Sequence, residues 1–183
     1  MKTNQLFGTD GIRGRAGEHP LTEPFSKKIG NALAEHLWST HNKATPTPAV
    51  VIGHDGRASG ESLTLSISKG LTEKGVDVDI VGLAPTPCVA YLASAIKKYS
   101  AGIVVSASHN PAEDNGIKIL DSKGEKITRS IEKEIERCLG KDISPPQSTT
   151  RQGIIKNCEE ATKHYVNWLR LEAFPNLDLS GIK

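Results

Sequence analysis

Four polar residues that can do chemistry follow a short apolar run in the middle of the chain. The run covers residues 103–105, and the polar residues are Ser106, Ser108, His109 and Asn110. A β-branched run of this kind predicts a buried strand, and open α/β sheets place their ligands at the carboxyl ends of such strands. The sequence therefore predicts a reactive loop at a strand end.

The chain is predicted to turn after this loop and to return as a second strand. Pro111 disfavours helix at Asn110, and the pair Asn115-Gly116 is a strong turn signal. In the strand that follows, alternation puts Lys118 on the opposite face from its two apolar neighbours. A serine, a histidine and a lysine are thereby brought to one loop and its exit strand.

These residue types favour phosphoryl transfer over acyl transfer. A serine hydroxyl is a weak nucleophile unless a base or a cation activates it, and His109 and Lys118 are candidates for that role. A serine hydrolase places its serine within Gly-x-Ser-x-Gly, whereas Ser108 lies between Ala107 and His109. Phosphoryl transfer mainly needs positive charge and backbone N–H groups around the phosphate. The alternative is a polar loop whose side chains only cap its own backbone.

A second polar cluster, HDGRASG, spans residues 54–60 and follows another predicted strand. It leads into a helix, and a helix N-terminus offers N–H groups and a favourable dipole to an anion. Arg57 adds a planar charged fork that suits phosphate. The alternative is a surface Arg57 beside a helix that Ser59 caps.

The N-terminal segment FGTDGIRG, residues 7–14, has a glycine at every third position. Without a preceding strand this spacing does not make a dinucleotide-binding fingerprint. It predicts a flexible turn that carries Thr9, Asp10 and Arg13. Taken alone, Arg13 is typical of a solvated loop.

The spacing of the apolar residues predicts alternating strands and helices. Helix starts are indicated at Thr22 and Thr128, and Thr86 is predicted to cap a helix with a proline at its first position. The predicted strands cover residues 49–53, 76–80, 103–105 and 117–119. In the second of these, alternation predicts that Asp77 and Asp79 lie on a solvated strand face.

This order of elements predicts an α/β layered domain with crossover helices. The last two strands are joined by a loop without a helix, so one of them runs antiparallel to the others. We therefore predict a three-layer α/β fold, in which a mixed and mostly parallel sheet lies between helices.

A composition shift predicts a domain boundary near residue 150. Residues 1–150 are predicted to form the α/β domain with the serine loop, and residues 151–183 to form a linker and the start of a truncated second domain. The segment at 141–153, KDISPPQSTTRQG, is rich in Pro, Ser and Thr, as linkers are. Beyond it, a helix is predicted through Tyr165 and Trp168.

Composition argues against several classes of protein. The 183 residues are 37% hydrophobic and 24% charged, which suits a globular core, and the net charge of +2 without a basic stripe indicates no nucleic-acid partner. No segment has the length of a membrane span or the apolar core of a signal peptide, so we expect a cytoplasmic protein. Three cysteines without a Cys-x-x-Cys pair favour neither disulfides nor zinc, and Cys88 and Cys138 are predicted to be buried free thiols.

Two motifs resemble the α-D-phosphohexomutase family. Ser-Ala-Ser-His-Asn-Pro at residues 106–111, followed by Asp-Asn-Gly-Ile-Lys at residues 114–118, is similar to the active-site loop of that family. FGTDGIRG at residues 7–14 resembles the corresponding segment of its bacterial amino-sugar branch. The two motifs also occur in the family's order, which makes the pair a stronger signal than either motif alone.

The resemblance implies roles for six residues. It implies that Ser108 carries a phosphate and binds Mg²⁺ through a phosphate oxygen, with the other metal ligands outside this chain. It places His109 and Lys118 at the family's proton-handling and phosphate-contacting positions. The phosphate or substrate contacts that it implies are Arg13, Arg57 and Asn110.

The reaction implied interconverts glucosamine 6-phosphate and glucosamine 1-phosphate through a phosphoserine and a sugar bisphosphate. Phosphomannomutase or phosphoglucomutase activity and a non-catalytic phosphosugar-binding module are the alternatives. The family's chains are much longer, so the resemblance implies C-terminal domains as partners of this segment. We expect the segment alone to be inactive.

Overall fold

The computed structural model describes residues 5–42, 46–140 and 151–182. Within these residues the chain forms six strands, five α-helices and a single π-helical turn, Leu169–Ala173. In chain order the α-helices and strands are β1 (Ile12–Arg15), α1 (Glu23–Ser39), β2 (Ala49–His54), α2 (Gly60–Glu73), β3 (Asp77–Leu83), α3 (Thr86–Ala95), β4 (Tyr99–Val105), β5 (Asp114–Asp121), α4 (Arg129–Leu139), β6 (Ile155–Asn157) and α5 (Ala161–Trp168).

All six strands belong to one sheet with the order β1-β5-β4-β2-β3-β6. β2 pairs in parallel with β3 and β4, and β3 pairs in parallel with β6. β5 runs antiparallel to both of its neighbours, β4 and β1. The prediction of a mixed and mostly parallel sheet is confirmed, because β5 is the one strand of the described sheet that runs in the opposite direction.

Alternation along the central strands builds two cores, one on each face of the sheet. Ile52 and Ile103 point into the core that α1, α2 and α4 cover. Val51 and Val104 point into the opposite core, which α3 covers and against which part of α5 packs. The result is the predicted three-layer arrangement, since successive strand residues face opposite sides.

Local capping explains where two of the helices begin. α1 has Thr22 as its N-cap, whose hydroxyl accepts from the N–H of Phe25 at 3.3 Å, as the sequence predicts. α3 begins one residue earlier than predicted, because Pro85 takes the extended N-cap position and Thr86 is already helical. The hydroxyl of Ser59 makes no cap at α2 and instead accepts from Asn115 Nδ2 at 2.8 Å.

The N-terminal motif contains the predicted turn at Thr9 and Asp10, but it continues as a strand from Ile12, so Arg13 lies on a strand and not in a flexible turn. β1 pairs with β5, with Ile12 opposite Ile117. Gly11 has φ +91°, and a Cβ at this residue would lie 2.4 Å from the carbonyl oxygen of Ile117. The glycines of this motif therefore include one that allows the close approach of two backbones.

The aspartates of β3 are paired, which corrects the prediction of a solvated strand face. Asp79 is buried and accepts from the Tyr99 hydroxyl at 2.7 Å and from the Lys98 ammonium. Desolvation raises the pKa of Asp79, but these two donors outweigh it and the net pKa is lowered. Asp77 accepts two hydrogen bonds from Arg151, at 2.9 and 3.0 Å. Long-range partners thus decide the environment of both carboxylates.

The C-terminal residues extend the sheet and pack on α3. β6 adds to the edge of β3, and Tyr91 of α3 stacks on Trp168 with ring centroids 4.8 Å apart. The predicted linker at residues 141–153 lies mostly outside the described residues, so the boundary at residue 150 stays a prediction. Cys88 and Cys138 are free and buried, as predicted. None of the described helices has the length and apolar character that crossing a membrane requires.

We predict that Gly70→Ala destabilises the protein because two glycines let α1 and α2 touch. A Cβ at Gly70 would lie 2.1 Å from the carbonyl oxygen of Lys27, and one at Gly30 would lie 2.2 Å from that of Ile67. Overpacking of this kind costs about 1–3 kcal/mol, which exceeds the gain in helix propensity of about 1 kcal/mol. Urea unfolding should show a lower free energy of unfolding for Gly70→Ala. Gly140→Ala should be close to neutral, because a Cβ at Gly140 would lie 3.8 Å from its nearest neighbour, the carbonyl oxygen of Arg137.

Candidate active site

Three segments meet at the carboxyl ends of β2 and β4. Residues 106–113 form the loop between β4 and β5, and Asp55 to Arg57 follow β2. The N–H of Asp55 donates to the carbonyl of Val105 at 3.2 Å, which ties the two strand ends together. The N-terminal motif joins them through the pairing of β1 with β5.

The guanidinium of Arg57 binds backbone carbonyl groups of the serine loop. Its Nη2 donates to the carbonyls of Ser108 and Asn110, both at 2.9 Å. Its Nη1 donates to the carbonyl of Asp114 at 2.9 Å and to that of Pro111. Its Nε donates to the carboxylate of Asp55. All five N–H groups of the Arg57 guanidinium are therefore engaged, three of them with carbonyls of the loop and one with the carbonyl of Asp114 at the start of β5.

Asp55 orients Arg57 and anchors the first serine of the loop. One of its oxygens, Oδ2, accepts from Arg57 Nε at 3.1 Å and from the Ser106 hydroxyl at 2.7 Å. Desolvation raises the pKa of Asp55, but the hydrogen bonds from Ser106 and Arg57 outweigh it, so the net pKa is lowered. Asp55 is therefore a carboxylate at neutral pH.

The two serines of the loop occupy different environments. Ser106 is buried, and its oxygen also accepts from the N–H of Ser108 at 3.0 Å. Ser108 is exposed and has φ +58°, a left-handed conformation that is uncommon for residues other than glycine. Its Oγ lies 3.5 Å from His109 Nδ1, which is too long for a strong hydrogen bond. Ser108 presents a free-standing hydroxyl, whereas Ser106 is part of the scaffold.

A second chain of polar contacts links the predicted cations to the loop. Lys118 Nζ lies 2.7 Å from Asp10 Oδ2, and Arg13 donates to the same oxygen. Arg13 also donates through Nη1 to Asn110 Oδ1 at 3.0 Å. Asn110 Nδ2 in turn donates to Asp114 Oδ2 at 3.0 Å. The side chains from β1 and β5 are thereby connected to the residue that follows the Ser108-His109 pair.

Asp10 is the site residue that sequence reasoning missed as a functional candidate. Burial raises the pKa of Asp10, but Lys118 and Arg13 outweigh it and the net pKa is lowered. The sequence holds one local signal, since Asp10 and Arg13 are three residues apart. The contact with Lys118 depends on the pairing of β1 with β5 and could not be read from spacing.

Helix α4 and the segment before it hold the N-terminal motif in place. Glu136 accepts from the N–H groups of Leu6 and Phe7 at 2.9 and 3.0 Å. Lys126 Nζ donates to the carbonyl of Thr9 at 2.7 Å. These bonds fix the backbone immediately before Asp10.

The structure links four of the six predicted site residues by direct contacts and a fifth, Lys118, through Asp10. Arg57 binds the backbone of Ser108 and Asn110, Arg13 binds the Asn110 side chain, and Asp10 joins Arg13 to Lys118. The imidazole of the sixth, His109, is exposed and makes only the long contact with Ser108.

The described residues do not by themselves make up a metal site. Within residues 5–42, 46–140 and 151–182, no three His, Cys, Asp or Glu side chains are grouped so that they could hold one ion. Mg²⁺ takes oxygen ligands and is usually held by one or two carboxylates together with phosphate oxygens and water. In this part of the chain, an oxygen of a phosphate on Ser108 is the ligand that the sequence motif implies.

The family model for phosphoglucomutase/phosphomannomutase, alpha/beta/alpha domain I, matches residues 4–145 of this chain. The chain belongs to this family. The match includes the serine loop, the Asp55 to Arg57 segment and the N-terminal motif, so the family resemblance inferred from the motifs is confirmed. The α/β fold of this domain is also the one that the structure shows.

Relatives and solved structures of this family cover nearly the whole chain. The chain is 43% identical over 182 residues to the phosphoglucosamine mutase of Janthinobacterium sp. (strain Marseille), which covers 99% of this chain and 40% of the relative. It is 42% identical to that of Deinococcus deserti, with 100% and 40% covered. A phosphoglucomutase/phosphomannomutase family protein from Burkholderia thailandensis superposes with a TM-score of 0.77 at 28% identity, covering 92% of this chain and 36% of that one. The chain thus spans about 40% of the length of the curated relatives it matches.

We predict that Arg57→Lys loosens the serine loop without unfolding the domain. A lysine carries a point charge with three donors and cannot reproduce the planar fork that serves four carbonyls. Backbone amide exchange at Asn110 and Asp114, whose N–H groups donate within the loop, should accelerate about tenfold or more.

A matched control is Arg15→Lys, since Arg15 is exposed and lies 3.7 Å from its partner Glu18. Its exchange pattern in the loop should match that of the wild type. Unchanged exchange at Asn110 and Asp114 in the Arg57 variant would show that the arginine does not hold the loop.

Proposed function

We propose that this chain is the phosphoserine-bearing part of a phosphoglucosamine mutase, which interconverts glucosamine 6-phosphate and glucosamine 1-phosphate. The observation that carries the proposal is the exposed hydroxyl of Ser108, held in a left-handed conformation on a loop that Arg57 fixes by four carbonyls. A phosphate on such a hydroxyl is accessible to a sugar, while the loop beneath it is rigid.

The phosphate moves from Ser108 to the sugar and back. A sugar hydroxyl attacks phosphorus, an O–P bond to the sugar forms, and the bond between phosphorus and Ser108 Oγ breaks. The proton of the attacking hydroxyl passes to a base, and Ser108 Oγ takes up a proton as it leaves; Lys118 and His109 are the candidates for these proton transfers. The sugar bisphosphate then reorients and returns its other phosphate to Ser108, which regenerates the phosphoserine.

Charge balance around a phosphate supports this assignment. A phosphoserine carries about −1.5 to −2 charges at neutral pH. Arg57 is already paired with Asp55, so we assign charge compensation first to Lys118 and Arg13, which share the single carboxylate of Asp10. The contact of Arg57 with phosphate stays a prediction, because its five donors are occupied in the structure described here.

Mg²⁺ is the cofactor we propose, bound through an oxygen of the phosphate on Ser108. When bound, it would offset part of the charge on the transferred group. Its remaining ligands would come from the part of the relatives that this chain does not cover. The steps assigned above to Ser108, Lys118 and His109 use side chains of this chain only.

The sugar assignment rests on the relatives. Those that match at 40–43% identity are called phosphoglucosamine mutase, whereas a putative phosphomannomutase of Thermus thermophilus is a structural neighbour at 26% identity with a TM-score of 0.73. We therefore favour glucosamine phosphate over mannose or glucose phosphate. Sugar phosphate, sugar bisphosphate and C-terminal domains are the partners that this function requires.

We predict that Ser108, and not Ser106, carries the phosphate. Incubation of the chain with glucose 1,6-bisphosphate or glucosamine 1,6-bisphosphate should add one phosphate by intact-mass measurement, and peptide mapping should place it on Ser108. Ser108→Ala should abolish the adduct with little change in thermal stability, because an exposed loop hydroxyl supports little packing.

Ser106→Ala is the matched control, and it should keep the adduct but lower stability, since it removes one donor from Asp55 and leaves the Ser108 N–H without its acceptor. Phosphate found repeatedly on Ser106 would overturn the assignment of Ser108, whereas phosphate on no residue would favour a non-catalytic phosphosugar-binding module.

We also predict that the 183-residue chain alone sustains no mutase turnover. Phosphoryl transfer depends largely on positioning, and the chain covers about 40% of its curated relatives. A coupled assay with glucosamine 6-phosphate, Mg²⁺ and a trace of bisphosphate should show at most a single transfer per chain. Sustained turnover near the rate of a full-length relative would show that the sugar-binding parts lie within these residues.

A further inference from the structure

One carboxylate connects the two cations that the proposed function assigns to phosphate. Asp10 Oδ2 lies 2.7 Å from Lys118 Nζ and also accepts from Arg13 Nη2. Among the ion pairs of the described residues, Lys118 and Arg13 have no other carboxylate partner. The neighbouring carboxylate of Asp114 is bound to the amide of Asn110.

The exposure of the three side chains is unequal. The side chain of Lys118 is 15% exposed and that of Arg13 is 26% exposed, whereas that of Asp10 is 47% exposed. An ammonium group with so little access to water is costly to leave without an anion. Asp10 therefore supplies a charge that Lys118 needs, but it is itself the partner that water can most easily solvate.

The backbone around Asp10 is a tight turn, while both cations extend from strands. Gly8 donates to the carbonyl of Gly11 at 2.8 Å, so Asp10 lies in the turn that this bond closes. Arg13 and Lys118 belong to β1 and β5, which pair with each other. A rotation of the Asp10 side chain toward solvent would free both cations without moving either strand.

We infer that Asp10 is an internal counter-ion that occupies the phosphate-binding cations Lys118 and Arg13 when no phosphate is present, and that a phosphate group displaces it. This inference rests on the proposed function, because it takes Lys118 and Arg13 to be phosphate ligands. In the reaction cycle, Asp10 would stabilise the state of the protein in which Ser108 carries no phosphate. It would also weaken the hold on the phosphate and so favour its transfer.

A purely structural role for Asp10 predicts the opposite effect on binding. If Asp10 only positions Lys118 and Arg13, its removal misplaces them and weakens the binding of phosphate. If Asp10 competes with phosphate, its removal strengthens that binding, because the anion no longer displaces a charge-assisted hydrogen bond. The sign of the change distinguishes the two roles.

The test is a titration of the whole chain with inorganic phosphate at pH 7.5 and constant ionic strength. Binding is followed through the side-chain NMR signals of Lys118 and Arg13. Asp10→Asn keeps the shape and removes the charge, and we expect it to bind phosphate about fivefold more tightly than the wild type, as loss of a partly exposed ion pair suggests. Asp10→Glu restores the charge and should return the affinity toward the wild-type value.

Glu18→Gln is the matched control. It makes the same change in net charge at an exposed pair with Arg15, and it should leave phosphate affinity within twofold of the wild type. Asp10→Ser serves as a second neutral variant if Asp10→Asn fails to give a folded NMR spectrum. Equal or weaker phosphate binding in the neutral Asp10 variants, or an equal gain in Glu18→Gln, overturns the inference. The titration needs no phosphoserine, so a failure of Ser108 phosphorylation would be seen separately.

Discussion

The architecture of the candidate site depends on one guanidinium. The guanidinium of Arg57 has no free N–H group, since Asp55 accepts from Nε, and three loop carbonyls and the carbonyl of Asp114 accept from Nη1 and Nη2. Loop carbonyls that converge on one side without such a partner would repel one another and would need water to satisfy them. Because Arg57 supplies that partner, the loop can turn sharply enough to hold Ser108 at positive φ and to present its hydroxyl outward.

The charge distribution of the site depends on how three cationic side chains pair with two carboxylates. Asp55 neutralises Arg57 at the base of the loop, while Asp10 alone faces Lys118 and Arg13. Both carboxylates keep a lowered pKa, because donors outweigh the cost of burial. At the base of the loop one cation thus faces one carboxylate, whereas the two cations that β1 and β5 contribute share the single carboxylate of Asp10.

The sequence could predict the elements whose signal is local and missed those whose partners are distant. The run around Ile103 and the alternation at Lys118 gave the two strands and the loop between them. β1 was not predicted, because a strand with three glycines around it has no apolar period and exists through its pairing with β5. The environment of Asp79 could not be predicted for the same reason, since Tyr99 belongs to β4 and Lys98 to the turn before it.

The same distinction explains why the motif could suggest Ser108 but could not show that Ser106 and Ser108 occupy different environments. Both serines stand in one hexapeptide, and by residue type either could accept a phosphate. Ser106 continues the direction of β4 and is buried, and its hydroxyl donates a hydrogen bond to Asp55. Two residues later the backbone has reversed at Ser108, and the hydroxyl is exposed. The difference in exposure between two chemically identical side chains is therefore set by backbone conformation, and Arg57 holds that conformation from the segment that follows β2.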